Sequence, residues 1–357
     1  MIRLQLRATP SRWMVLLSPL LALAFTSLSG LLLFALLGKD PLAGLRVFLV
    51  TPLESVRGWS EIGLKMTPLL LCALGLAICY RANVWNIGAE GQLVAGGLAA
   101  GALALLATPD SPRLFVVAVL LAGICGGAAW GAATAWLRDR FNANEILVSL
   151  MLTYVAQLLL LYLVHGALKD PQGFNFPYSR MFEAATAVPR LLPPYRVHVG
   201  LLVALVLAVL AWVFVFRSRL GFKLLALGDA PLAARYAGFS SRLGTWVTLL
   251  ACGALAGLAG AFEVGGPIGQ LTPSISPGYG FAAIIVAWLG RLNPLGCIPA
   301  AFLMAMIYIG GELSQSRLGL PNAITGVFQG VLLLALLCAD TFIHYRISWQ
   351  AWKPSPR

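Results

Sequence analysis

The chain has 357 residues, 59% hydrophobic and only 11% charged, with a mean hydropathy of +0.85, whereas a soluble domain carries roughly a quarter charged residues. This excludes an ordinary water-soluble globule and makes the bilayer the solvent. The net charge of +12 is dispersed over short connections, not gathered on one groove-sized face, so it speaks for positive-inside topology and against a nucleic-acid partner.

Apolar runs of about 20 residues recur from end to end, the length a helix needs to cross a bilayer. The expected fold is all-α: one integral membrane domain over residues 1–357, a polytopic bundle of about ten spans. The first run, Trp13 to Leu37, follows Arg3, Arg7 and Arg12 as a signal peptide would. It continues past Ala22-Leu23-Ala24 and far beyond the ~7 to 15 residues of a signal core, so a retained span is expected. Further spans are expected near 62–80, 88–107, 115–137, 144–166, 198–216, 243–263, 280–291, 295–311 and 322–343. The eighth and ninth are short and separated by Arg291-Leu292-Asn293-Pro294, a pattern of broken helices packed against protein. Spans two to five and seven to ten are candidates for an internal repeat.

Alternate connections carry Arg81, then Arg138 and Arg140, then Arg217, Arg219, Lys223, Arg235 and Arg242, then Arg291, with Arg346, Lys353 and Arg357 in the tail. That bias places both termini in the cytoplasm. Lys65 is expected in the outermost turn of the second span. Glycines at helix-packing spacing, Gly97 with Gly101, Gly123 with Gly127 and Gly131, Gly253 with Gly257, and Gly326 with Gly330, are expected to let helices approach closely. The six cysteines, Cys72, Cys79, Cys125, Cys252, Cys297 and Cys338, show no CxxC spacing and read as small buried hydrophobes, neither disulfides nor metal ligands.

Three stretches carry chemistry. The first is N-V-W-N-I-G-A-E-G-Q at 83–92, with Asn83, Asn86, Glu90 and Gln92 at the head of an apolar run. Asn86 and Glu90 are four apart and share a helix face if the stretch is helical. Either Asn86 caps the third span with Glu90 complementing its dipole at the inner mouth, or the segment dips inward and forms part of a gate. The second is the basic connection at about 217–242. Within it Asp229 is placed to cap a short helix, Pro231 suits its first turn and Gly238 ends it. Ala233 and Ala234 would then present a smooth face beside Arg235 and Tyr236, either as membrane-surface padding or as a seat for another protein. The third is P-G-Y-G-F-A-A-I-I-V-A-W-L-G-R-L-N-P at 277–294, expected to start on the external side as a re-entrant loop leading to a short pore helix. Phe281 and Trp288, seven apart, share a face that either packs on neighbours or stacks on a base in transit. Asn144, Glu145, Gln157, Glu263, Gln270 and Gln329 are further polar candidates within spans.

These three blocks, with A-L-A-G-L-A-G-A at 254–261, resemble the permease subunits of ATP-binding-cassette importers of the ribose, branched-chain amino acid and nucleoside group, most closely the nucleoside and simple-sugar members. The resemblance spans nearly the whole membrane domain. It implies a type II importer-like bundle in a bacterial inner membrane, with residues 229–238 as the coupling helix that docks on a cytoplasmic ABC ATPase. It also implies a second permease subunit, as a heterodimer, and an exported substrate-binding lipoprotein or periplasmic protein. The substrate implied is a nucleoside, with a simple sugar or nucleobase as the alternative. It places 83–92 beside the central cavity.

No GxxxxGK[ST] P-loop occurs, so ATP and magnesium chemistry belongs to a partner. No cofactor, metal or catalytic residue is expected. His165 and His198 are expected at the outer surface and His344 at the inner end, with no HExxH motif, which argues against an intramembrane hydrolase. A stand-alone secondary transporter is the remaining rival.

Overall fold

The computed structural model describes residues 2–6, 12–321 and 323–349; Arg7, Lys353 and Arg357 of the charge argument lie outside them. In chain order the elements are β1 (Ile2–Leu6), α1 (Arg12–Leu36), α2 (Pro41–Leu49), α3 (Val56–Arg81), α4 (Ala89–Ala104), α5 (Phe115–Phe141) and α6 (Glu145–His165). They continue with α7 (Gly200–Arg217), α8 (Arg219–Asp229), α9 (Pro231–Tyr236), α10 (Ser241–Glu263), α11 (Tyr279–Leu289), α12 (Cys297–Leu318), α13 (Ala323–His344) and β2 (Tyr345–Trp349). Single turns of 3-10 helix lie at 51–53 and 184–186, and a π-helical turn at 264–268 extends α10. The fold is helical, as expected, apart from a ribbon in which β1 pairs antiparallel with β2.

By internal contacts the chain forms two units: Met1–Ser55 with Met306–Arg357, and Val56–Ala305. In the first, the rings of Phe34, Phe48 and Phe328 meet, Phe48 stacking on Phe328 at 4.0 Å, and so join α1, α2 and α13. Ser18 donates to Asp340 at 2.7 Å. Asp40 caps α2 by accepting from the Leu42 and Ala43 N–H groups.

In the second unit the core is built on backbone contact. A methyl group on Gly127 would lie 2.5 Å from the Gly257 Cα, and one on Gly123 would lie 2.6 Å from the Ala261 Cβ. One on Gly75 would lie 2.7 Å from the Cys252 Cα, so α3 presses on α10 in the same way. In lipid, where helices gain nothing by hiding apolar surface from one another, such close approach supplies the dispersion contact that holds them. The pairs on α5 and α10 behave as expected; on α4, Gly97 lies against Val264 and Gly260, whereas Gly101 makes room for the Leu271 side chain of a non-helical segment. Gly326 and Gly330 do not: a methyl group on either meets nothing within 4 Å. Cys125 and Cys338 are likewise exposed, so the buried-hydrophobe reading holds for the other four cysteines only.

Eight described helices are long and apolar enough to cross a membrane: α1, α3, α5, α6, α7, α10, α12 and α13. The two remaining expected spans are short. α11 has 11 residues and α4 has 16, about 16 and 24 Å against a core of roughly 30 Å. The ninth expected span is the full-length α12 of 22 residues; Pro299 in its first turn ends nothing there, because a first-turn proline gives up no helical bond. α3 begins at Val56, so Lys65 sits nine residues in, about 14 Å from the start of the helix, rather than in an outer turn. The long connection 166–199 straps the segment after α10: Ser179, Phe182 and Val188 donate backbone N–H groups to Leu271, Gly269 and Gly265 at 3.0, 2.9 and 2.9 Å.

Candidate functional site

α3 ends at Arg81, whose Nε donates to the Leu292 carbonyl at 2.7 Å, just beyond α11. From there a turn closes the helix, the Val84 N–H on the Cys79 carbonyl at 3.0 Å, and residues 84–87 run in non-helical conformation back into the bundle. Asn83 turns the chain with a left-handed φ of 55°, a conformation Asn tolerates better than most residues. The Asn86 Oδ1 accepts the Gly88 N–H at 2.9 Å in a side-chain turn, and its Nδ2 donates to Gln92 Oε1 and lies 3.2 Å from Cys252 Sγ. The Tyr80 hydroxyl donates to the Asn86 carbonyl at 2.9 Å, and the Ile87 N–H to Ser149 Oγ at 3.1 Å. Asn86 therefore braces the re-entrant turn instead of capping α4, whose N-cap, Gly88, has no side chain to offer.

Glu90 is 1% exposed and accepts the Gly280 N–H at 2.6 Å. The Ser276 hydroxyl and the Gly278 N–H also reach its carboxylate, while Ser276 Oγ accepts from Gly278 and Tyr279. The carboxylate thus satisfies the first amides of α11, where a negative charge also complements the helix dipole. Because α11 meets Tyr80 and Arg81 at its far end, Glu90 lies about 15 Å along the bundle from Arg81. The Pro277–Gly280 turn lies at this level as well, where the 269–278 segment meets Glu90 and leads into the short α11.

Asn86, Glu90 and Gln92 are a buried cluster. The other predicted residues line an open face. On α11 only Phe281, Ile284 and Trp288 escape full burial, one stripe at helical spacing. Trp288 stacks with Trp85 at 6.2 Å and with Tyr80 at 6.0 Å; Trp85 is 41% exposed and donates from Nε1 to Asn83 Oδ1 at 3.0 Å. Phe281 lies about two turns further along the same face. Sequence reasoning passed over Trp85 and Tyr80, although Trp85 sits inside the quoted block, and over Ser276. It also misplaced Lys65, whose Nζ lies 5.6 Å over the Tyr279 ring.

The basic connection forms α8 and α9. Asp229 ends α8 and makes no cap: α9 starts from Ala230 without a side-chain bond, with Pro231 first. Gly238, at φ 82°, terminates it as expected. Leu232, Ala233, Arg235 and Tyr236 are exposed, Leu232 at 82% and Tyr236 at 99%, whereas Ala234 is buried. Gly228 abuts the Arg81 carbonyl with no room for a Cβ.

The remaining candidates lie away from this face. Asn144 caps α6, Glu145 pairs with Arg138 at 2.9 Å, Gln157 is exposed, and Gln270 and Gln329 are half-buried. Glu263 is buried at the end of α10. His165 is exposed at its helix end, and His198, just before α7, is buried in the protein and stacks on Phe262 at 5.6 Å. Among the described residues no three His, Cys, Asp or Glu side chains gather as a metal site.

Residues 59–337 match the family described as branched-chain amino acid transport system / permease component. The chain belongs to this family of ABC transporter permeases. The permease is 35% identical to the glucose ABC transporter permease protein TsgB13 of Haloferax volcanii over 97% of its own length and 93% of the relative's. It is 29% identical to the guanosine ABC transporter permease protein NupP of Bacillus subtilis, over 89% and 92%, and to the nucleoside ABC transporter permease protein NupB of Lactococcus lactis, over 88% of each. No solved structure matches the permease. As a subunit of this kind it is a multi-pass membrane protein and not itself an enzyme; an ATPase and a substrate-binding protein complete the transporter.

Proposed function

We propose that the permease forms the translocation path of a nucleoside importer, with residues 82–88 and the Phe281–Trp288 face of α11 as part of its wall. One observation carries this reading. Non-helical backbone with open side chains, Asn83 and Trp85 among them, runs into the bundle from the end of α3. Such backbone is stable at membrane depth only against protein or water, never against lipid. That side of α11 therefore faces an aqueous path or a second subunit enclosing one. Its surface is aromatic, and a π-face stacks on any nucleobase. Glu90 acts behind this wall, holding α11 in place.

α9 is the coupling helix, docking through Leu232, Ala233 and Tyr236 on the cytoplasmic ATPase; both termini are cytoplasmic, in an inner membrane, and the second permease is a distinct chain. The test is uptake by the complete importer in proteoliposomes. Nucleoside uptake that falls in Trp288→Ala and survives in Trp288→Phe supports the stacking wall; equal uptake in all three removes it. Glucose is the second reading, favoured by the name of the 35% identical relative; competition of unlabelled glucose with labelled nucleoside decides between them.

A further inference from the structure

A cavity of about 170 Å³ opens beside α9, lined by Ala82, Asn83 and Val84 of the re-entrant segment, Arg138 of α5, Leu227 of α8, Pro231 and Arg235 of α9, and Ser241, Gly244 and Thr245 of α10. Its polar groups are two guanidiniums, one carboxamide and two hydroxyls, and no carboxylate lines it. Of the nearby acids, Glu145 pairs with the cavity's own Arg138 through Nη1 at 2.9 Å, and Asp139 is engaged outside it by Arg242 at 2.6 Å and Trp246 at 3.3 Å. Arg138 keeps further N–H groups beyond that pair, since a guanidinium carries five. Arg235 has no hydrogen-bond or ion-pair partner for its side chain among the described residues, and it is exposed at the rim of the cavity that it lines.

We infer that this cavity binds a phosphate-type oxyanion. A tetrahedral anion offers acceptors on all sides, which suits a pocket whose polar groups are mainly donors supplied by separate elements, and guanidinium is the side chain best matched to phosphate. Bound there, the anion bridges Arg235 to Arg138 and to Asn83, joining α9 to the segment that precedes Glu90. Occupancy therefore ties the helix read above as the coupling helix to the re-entrant wall. The binding claim stands on the cavity; only its consequence rests on the coupling assignment. The phosphate comes either from solution or from an anionic lipid headgroup at the inner leaflet, two sources with the same chemistry.

The test uses the full-length permease without its ATPase, so that no nucleotide site competes, in nanodiscs of zwitterionic lipid. Thermal unfolding followed by tryptophan fluorescence is measured while sodium phosphate replaces sodium chloride at constant ionic strength. A saturable rise in midpoint, its half-point moved about tenfold or more to higher phosphate in Arg235→Gln, supports a free oxyanion, the factor being that of one lost charge-assisted hydrogen bond. A midpoint insensitive to free phosphate, but raised by phosphatidylglycerol discs in the wild type and not in Arg235→Gln, supports the lipid source. No shift in either series, or the same shift in Arg235→Gln, overturns the inference. Should Arg235→Gln not fold, Ser241→Ala, which keeps both arginines, is measured instead: a half-point moved severalfold to higher phosphate supports the site, and an unchanged one overturns it. Failure here leaves the coupling assignment standing, because that is read by ATP-driven uptake and not by binding.

Discussion

Replacing Glu90 by alanine tests the role of the re-entrant turn most directly. The carboxylate is 1% exposed and takes the Gly280 N–H at 2.6 Å, with Ser276 and Gly278 also bonded to it. Losing a hydrogen bond to a charged acceptor costs about 1.5–3 kcal/mol, and stranding its buried donor adds to this. The helix-dipole interaction contributes up to about another 2 kcal/mol in a buried setting. Water has no easy route into the vacated space, so we expect Glu90→Ala to lose about 3–5 kcal/mol of the energy fixing α11. Glu90→Gln keeps an acceptor for one amide and should lose about half as much. The assay pairs thermal unfolding of each variant with initial uptake by the complete importer in proteoliposomes. The expected order in both is wild type, then Gln, then Ala, with ATPase docking intact because α9 is untouched. Wild-type stability and uptake in Glu90→Ala would refute the reasoning; equal losses in Gln and Ala would show that the charge matters and the acceptor does not.

Gly257→Ala puts a methyl group into the backbone crossing with Gly123 and Gly127 and should destabilise by about 1–3 kcal/mol, read as a lower unfolding midpoint. Gly326→Ala on α13 meets nothing within 4 Å in this chain, so a midpoint within about 0.5 kcal/mol of wild type is expected when the permease is measured alone. Gly228→Val drives a side chain onto the Arg81 carbonyl, and we expect ATP hydrolysis to persist while uptake falls at least tenfold; parallel loss of both would instead indicate misfolding. Leu232→Glu, on the most open side of α9, should leave the permease folded and release the ATPase in pull-down from membranes.

Much of this was legible in the sequence. Composition and hydropathy give the helical membrane class because they report the solvent directly. Pro231 and Gly238 stand at the two ends of α9, as local rules placed them. Local rules failed where long-range partners decide the outcome. Asn86 and Glu90 look like a cap and its dipole partner for α4, but the amides that Glu90 satisfies belong to α11, 190 residues away. Asp229 looked like a cap for α9 and instead closes α8. The short α4 was hidden because its apolar run is continuous and hydropathy carries no record of depth. Gly326 and Gly330 have the spacing of a packing seam without a neighbour on it among the described residues.

The contacts also indicate how motion at α9 would reach the re-entrant wall. Gly228, three residues before Pro231, lies on the Arg81 carbonyl, and Arg81 holds Leu292 at the end of α11 through a 2.7 Å bond. At the other end of α11, Glu90 holds Gly280. α11 is thus pinned at both ends, about 16 Å apart, and each pin lies beside the 82–88 segment. A shift of α9 is passed by backbone contact at Gly228, where no flexible side chain can absorb it. Packed helices change by moving as rigid bodies between discrete arrangements, not by deforming. α11 and residues 82–88 are therefore expected to move as one piece, with Trp85 and Trp288 kept in register while the face they present opens to one side or the other.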